Sequence, residues 1–323
     1  EYLEIPAIEK SLFTSYDSLT WIKDRPDLFN LANVKDYYMC ASVDISEGLN
    51  GDYSVINFFR VVPKELDEFP SNVKNMYDLF KLEQVGIYHS NTTSVQELAE
   101  LAYVIFFEMF NEDKIGVVLE ANNWGNEFTK TMQEMFNGRN EYSSHIFCRY
   151  KHTQDAEETK IGIKLRSQKN MLVKGYQRAM KRGDIMVHHH PTLQEMTKFI
   201  KKETSMNYTF KADAGANDDI VMTIVEMATI FENYKFHDLV GNLLSELPDN
   251  IRTAIERALQ EAPTVEAVDY SILSKVGAVT PKALYGTPAE GQSNPFSSFG
   301  NNNPYTSGNP WKNLGDATNN TGR

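Results

Sequence analysis

The chain has only two cysteines in 323 residues, Cys40 and Cys148. That number excludes a disulfide-stapled scaffold. Each lies in an apolar, strand-like run, which suits a reducing compartment and a role as a small buried hydrophobe. Long apolar runs are also missing. The stretch through Ala102–Phe107 falls far short of the roughly 20 residues a membrane-spanning helix needs. The start has no charged-then-apolar signal pattern. It begins at Glu1 rather than Met, as expected of a fragment or processed product. Positive charge is scarce: 32 Lys and Arg stand against 44 Asp and Glu, a net −12. Such a balance argues against coating nucleic acid by bulk attraction. No G-x-x-x-x-G-K-[ST] loop occurs, so no nucleotide-driven motor of that type is expected in this chain.

What is present is an ordinary globular composition, 41% hydrophobic and 24% charged, with length for about two domains. The acidic average hides one local reversal. From Lys160 to Arg182 there are eight basic residues (Lys160, Lys164, Arg166, Lys169, Lys174, Arg178, Lys181, Arg182) and no acid. In an acidic protein this points to one localised polyanion surface, a solvated helix face being the plainer alternative.

Hydrophobic patterning divides the chain. Residues 1–36 read as a polar entry segment with helix-like pieces, interrupted by Pro6 and Pro26. Tyr37–Ile45, Tyr53–Val62 and Leu79–His89 carry β-branched and aromatic residues and predict an antiparallel three-strand meander. Ser94 followed by Glu97 is a capping box and opens a helix to about Phe110. Ile115–Glu120 predicts a short buried strand, Trp124–Phe136 a helix and His145–Tyr150 another strand. A helix from about Ser167 to Arg182 and a short strand over Asp184–His188 follow. Thr192 and Glu195 form a second capping box before a helix to about Lys202. Tyr208–Lys211 reads as extended, and Asp219 to about Asn233 as a helix. This order predicts an α/β fold of the RNase H-like type: a mixed sheet, meander plus parallel strands, flanked by helices. The domain would span 37–240, with a short helical extension over 241–285.

From Gly286 to Arg323, 26 of 38 residues are Gly, Pro, Asn, Ser or Thr, which predicts disorder. Asn294-Pro295-Phe296, Asn303-Pro304-Tyr305 and Asn309-Pro310-Trp311 recur within it and are candidate docking residues, or the chance product of a biased tail.

Three acidic positions fall at element ends. Asp44 closes the first strand, Glu120 closes the strand after the long helix, and Asp218 with Asp219 opens the last strong helix. In open α/β sheets the functional crevice lies outside the carboxyl ends of strands. If the first and fourth strands are parallel neighbours, Asp44 and Glu120 meet there, and a helix start carrying Asp219 can close the third side. Clustered carboxylates repel, so such a site calls for a hard divalent cation, Mg²⁺ or Mn²⁺. A pair of them would suit phosphodiester hydrolysis. The basic stretch, Lys160, Lys164, Arg166, Lys169 and Lys174 foremost, would hold the phosphate backbone of a nucleic acid substrate. Each acid also has a plain reading, as a turn residue or a helix N-cap.

Four stretches in this order carry a family resemblance: Val43–Val55 (VDISEGLNGDYSV), Gly116–Gly125 (GVVLEANNWG), Gly162–Lys174 (GIKLRSQKNMLVK) and Ala216–Ala228 (ANDDIVMTIVEMA). Over roughly residues 35–235 the chain resembles the nuclease domain of the large terminase subunit, the DNA-packaging motor of large tailed bacteriophages. The resemblance places the family's metal-binding triad on Asp44, Glu120 and Asp219. It adds Asp218 as an alternative ligand, Asp52 as a further acid near the metals and Glu47 as a possible supporting group. It departs at Asn217, where many relatives carry a His.

What the resemblance implies is a divalent-metal-dependent endonuclease with a two-metal Mg²⁺ or Mn²⁺ site, cutting concatemeric viral double-stranded DNA during packaging. Its partners would be the terminase ATPase domain, absent from this chain, the small terminase subunit and the portal protein. It would act at the procapsid portal, in the cytoplasm of an infected bacterium, with no membrane partner. A junction resolvase or other RNase H-like nuclease is one alternative; a non-catalytic docking module of the motor is another. His188-His189-His190 is a weak metal candidate, because neighbours on a strand face opposite ways. Asn123 and Trp124 are expected in a core or cap role.

Overall fold

The structure, a computed structural model, describes residues 2–261 apart from 5–17, 23–24, 47–51, 71–72, 74, 136–143, 152–158, 164–168 and 204–207. Glu47, Lys164, Arg166 and the Asn/Pro-rich tail therefore lie outside the described residues.

The chain begins with β1 (Tyr2–Glu4) and β2 (Leu19–Ile22). The meander follows as β3 (Met39–Asp44), β4 (Ser54–Pro63) and β5 (Phe80–Ser90). Then come α1 (Val95–Tyr103), β6 (Ile115–Leu119) and α2 (Asn123–Met135). A hairpin of β7 (Arg149–Lys151) and β8 (Thr159–Ile161) leads to α3 (Lys169–Lys181) and β9 (Ile185–Met186). The remainder is α4 (His190–Lys198), β10 (Phe199–Glu203), β11 (Tyr208–Ala212), α5 (Asp219–Met227), α6 (Tyr234–Glu246) and α7 (Asp249–Glu261).

The main sheet runs β1-β2-β5-β4-β3-β6. β3, β4 and β5 are the antiparallel meander, and β6 lies parallel to β3. This is the RNase H-like arrangement. β3 is buried along its length except at Asp44, as a central strand covered on both faces must be. On one face Phe58 and Val117 pack with Leu98 and Phe106, and with Phe128 and Met132 of α2. On the other, Val55 and Ile87 meet Ile220 of α5. The Ser94–Glu97 capping box opens α1, with Glu97 Oε2 accepting the Ser94 N–H at 2.9 Å.

Several elements depart from the sequence reading. Leu19–Ile22 is not helix-like but a strand on the edge of β5, with Trp21 fully buried and stacked 5.0 Å from Phe29. The short β9 pairs with β5 lower down, at Leu82 and Glu83. The expected strand His145–Tyr150 is broken: Phe147 makes a single parallel bridge to Val117, and Arg149 turns away into the β7–β8 hairpin. The capping box at Thr192 and Glu195 does not form. The helix starts earlier, with Pro191 in its first turn, where the missing N–H costs no intrahelical bond. It also stops at Lys198, because Phe199–Glu203 finds a strand partner in β11. The last strong helix ends at Met227 rather than Asn233, and α6 runs across residue 240, where a domain edge was expected. A buried ion pair, Lys64 Nζ to Asp184 Oδ1 at 2.6 Å, joins the far end of β4 to the start of β9.

Candidate metal centre

Parallel pairing of β3 with β6, in register at Val43 and Leu119, puts Asp44 and Glu120 side by side just past the strands' carboxyl ends. α5 crosses the same end of the sheet and contributes Glu226. Asp44, Glu120 and Glu226 each offer a carboxylate oxygen, and these oxygens lie within 4.8 Å of one another. Among the described residues this is the one such group of three potential ligands. Asp44 and Glu120 are partly open to solvent, whereas Glu226 is fully buried.

The backbone around Glu120 is tightly fixed. The Ile163 carbonyl accepts the Ala121 N–H at 2.6 Å, and Ile163 N–H donates to Leu119 O at 2.7 Å. Gly162, at φ +93°, makes this approach possible; a Cβ there would stand 2.6 Å from the Leu119 carbonyl oxygen, besides the cost of a left-handed backbone. A Cβ on Gly125 would meet the Glu120 carbonyl oxygen at 2.1 Å. Asn122 orients the side chain: its Nδ2 donates to Glu120 Oε2 at 3.0 Å while its Oδ1 accepts the Gly125 N–H at 2.8 Å. The short apolar β6 therefore ends in a residue whose main chain is held by the Gly162–Ile163 and Gly125 approaches and whose carboxylate is held by Asn122.

Glu226 is the residue that sequence reasoning passed over. It is the only charged side chain in the apolar run from Ile220 to Ile230, a signal that was present. It also lies seven residues after Asp219, two turns further on the same helix face. Ser42 donates its hydroxyl to Glu226 Oε2 at 3.4 Å, and Oε1 has no hydrogen-bond partner among the described residues.

The acids raise one another's pKa. Burial, then the charge of Glu120, then that of Asp219, push Asp44 up to about 8. Burial, followed by the charges of Asp44 and Glu120, holds Glu226 well above the usual carboxylate range. Burial takes Asp219 up to about 6; the Tyr53 N–H, donating to its Oδ2 at 3.3 Å, and the charge of Lys169 oppose this. Such a cluster is ill-suited to stand ionised alone and well suited to a divalent cation. The orphaned, fully buried Glu226 Oε1 fits that donor set.

The other sequence candidates are distributed around this centre. Asp219 opens α5 outside the three-carboxylate group, close enough for its charge to act on Asp44. Asp218 precedes it and pairs with Lys169 Nζ at 3.4 Å. Asp52 is exposed in the turn before Tyr53, and its charge raises Asp219. Lys160 is exposed on β8, two residues before the glycine that braces Glu120, and Lys174 is exposed on α3. Trp124 packs on the core. The histidine run is engaged elsewhere: His188 Nε2 lies 3.1 Å from Glu83, and His189 Nδ1 lies 2.8 Å from the Thr192 hydroxyl. Glu195 is a second residue whose role the sequence concealed. Its Oε1 accepts the Val221 N–H at 2.9 Å, so it caps α5 from another helix. Burial brings it up to about 7.

No known protein family and no curated protein matches the chain. It is similar in fold to phage large terminase nucleases. The large terminase nuclease from thermophilic phage G20c with bound magnesium is 17% identical over 66% of this chain and 87% of that one, at a TM-score of 0.42. The large terminase nuclease domain of Thermus phage P74-26 is 16% identical over 67% and 86%, at a TM-score of 0.40. What this chain can do is read from its own carboxylates and their surroundings. No helix among the described residues is long and apolar enough to cross a membrane.

Proposed function

We propose that this chain is a divalent-metal-dependent DNA endonuclease of the terminase type. The observation that carries this reading is the convergence of Asp44, Glu120 and Glu226 within 4.8 Å at the open end of an RNase H-like sheet. Asp44, Glu120 and Glu226 would hold the ion between them. Asp219, with Asp218 and Asp52 beside it, extends the cluster toward the basic stretch. Mg²⁺ or Mn²⁺ held there, as a pair on this reading, would supply Lewis acidity for phosphodiester hydrolysis by water.

The chain's own residues do the rest. Gly162 and Gly125 fix the main chain around Glu120 and Asn122 orients its carboxylate before substrate arrives, which is the preorganisation an electrostatic site needs. Lys160, Lys169 and Lys174, with Lys164 and Arg166, contact phosphates and so hold DNA without reading its bases. The substrate on this reading is concatemeric viral double-stranded DNA. The partners are a packaging ATPase domain, a small terminase subunit and a portal, in the cytoplasm of the infected host.

The test is Mn²⁺-dependent cleavage of a supercoiled plasmid by wild type beside Asp44→Asn. Cleavage by wild type alone, abolished by EDTA, is the expected result. Full activity of the variant, or activity in excess EDTA, overturns the reading. Branched DNA and RNA–DNA hybrid run in parallel separate a packaging nuclease from a resolvase or an RNA-strand nuclease.

A further inference from the structure

We infer that Gln84, on the sheet and away from the carboxylates, is a positioning residue that sets α5 by two routes at once. The inference rests on the proposed metal centre for its functional meaning, but its geometry is independent of any ion. Gln84, Asn57 and Thr223 are all fully buried. Gln84 Nε2 donates to Asn57 Oδ1 at 2.6 Å, and Asn57 Nδ2 donates to the Thr223 hydroxyl at 2.5 Å. Thr223 in turn donates to the Ile220 carbonyl at 2.7 Å. The first route therefore ends on α5, midway between Asp219 and Glu226.

The second route leaves from the other end of the same amide. Gln84 Oε1 accepts the backbone N–H of His188 at 3.2 Å and of His189 at 3.0 Å. These residues lead into α4, and α4 carries Glu195, which caps α5 at Val221. One side chain thus fixes the middle of α5 through Asn57 and its first turn through α4.

A break in strand register makes this possible. Phe58 pairs with Gly86 but Phe59 pairs with Gln84, leaving Val85 as an extra residue. Ile87 faces α5. In a regular strand Gln84 would face the opposite way, into the apolar core, because side chains alternate with period two. The bulge turns it back to the α5 side. Buried polar chains of this kind specify one arrangement of their elements, since each unmade bond leaves a desolvated group behind.

The test uses the full chain and three variants, Gln84→Leu, Thr223→Val and the conservative Thr223→Ser, read first by amide hydrogen exchange without metal. Gln84→Leu is expected to speed exchange at least tenfold in both 188–198 and 219–227, with α1 and α2 (95–103 and 123–135) on the opposite face unchanged. Thr223→Val should affect 219–227 alone, and Thr223→Ser should restore it. Mn²⁺ uptake by calorimetry should weaken by about tenfold in Gln84→Leu and Thr223→Val and recover in Thr223→Ser. Exchange rising equally over α1 and α2 would mean general loosening and overturn the inference, as would wild-type exchange in α5. If Gln84→Leu does not fold, the Thr223 pair decides the first route by the same readouts. If wild type takes up no Mn²⁺, the metal-centre reading fails, and the exchange pattern still decides whether Gln84 sets α5.

Discussion

Ser42 donates its hydroxyl to Oε2 of Glu226 across 3.4 Å, while Oε1 of the same fully buried carboxylate has no hydrogen-bond partner among the described residues. A half-satisfied buried acid beside Asp44 and Glu120 is unfavourable as an anion, and burial holds it protonated well above the usual range. Such a group is tolerated in a core when something else supplies the missing charge.

Glu226→Gln is therefore expected to separate stability from metal uptake. The amide keeps the size and can still accept from Ser42, but it cannot carry negative charge. Without metal at pH 8 the variant should be more stable than wild type, because the buried carboxyl's resistance to ionisation is relieved. Its Mn²⁺ affinity should fall by about tenfold or more. Thermal melting with and without Mn²⁺, together with calorimetry, measures both. A variant less stable than wild type and unchanged in Mn²⁺ binding would assign Glu226 to packing alone.

The acid cluster fixes the sign of the pH dependence. Asp44 titrates at about 8 in the folded protein, against about 4 in an unfolded chain. Between these values the native state holds a proton the unfolded state has lost, so stability falls as pH rises. Burial lowers the pKa of His89, His145, His189 and His237, which acts in the opposite sense below about pH 6.5. The informative window is thus about pH 6.5 to 8.5, where metal-free wild type should lose stability as pH rises, Asp44, Glu226 and Glu195 all adding to the slope. Asp44→Asn should make the slope shallower, leaving the share of Glu226 and Glu195, and saturating Mn²⁺ should reduce it further. Melting temperatures across that window check the expectation.

Asn122 gives a prediction on the orientation of Glu120. Its amide spans the Glu120 carboxylate and the Gly125 N–H, at 3.0 and 2.8 Å. Asn122→Leu removes both bonds while leaving every proposed ligand in place. Groups that orient a metal ligand typically contribute 10- to 100-fold in affinity or activity. A loss of about that size in Mn²⁺ uptake, with a melting temperature near wild type in EDTA, is the expected result.

Much of the frame was legible because it rests on local pattern. Tyr37–Ile45, Tyr53–Val62 and Leu79–His89 announce strands by composition, and Ser94 with Glu97 announces a helix start that the structure contains. Placing Asp44 beside Glu120 needed only the parallel pairing of β3 with β6. The hidden parts depend on distant partners. Leu19–Ile22 is a strand because β5 has a free edge there, not because four residues prefer it. Glu195 sits at a capping-box spacing from Thr192, yet Pro191 lets the helix start earlier and leaves its carboxylate to α5. Glu226 reads as one charge in an apolar helix until Asp44 and Glu120 are brought to it. Phe199–Glu203 follows the helical pattern of the residues before it, and pairing with β11 overrides that pattern.

Lys169 joins the acid centre to the basic stretch. Its Nζ lies 3.4 Å from Asp218 Oδ2 and 5.7 Å from the Phe199 ring centroid, so it is held at the start of α3 beside the start of α5. Its charge lowers the pKa of both Asp219 and Glu226, opposing the larger effect of their burial. Lys169→Met should therefore have two separable consequences. The proton equilibria of the cluster move up, so half-maximal Mn²⁺ uptake shifts to higher pH. If Lys169 also contacts a phosphate, the slope of log affinity for duplex DNA against log salt becomes shallower by about one, alike for unrelated sequences. Calorimetry over pH 6 to 9 reads the first, and DNA binding at several salt concentrations reads the second. A shift in the metal profile with an unchanged salt slope would confine Lys169 to the acids and place the phosphate contacts elsewhere on the basic stretch.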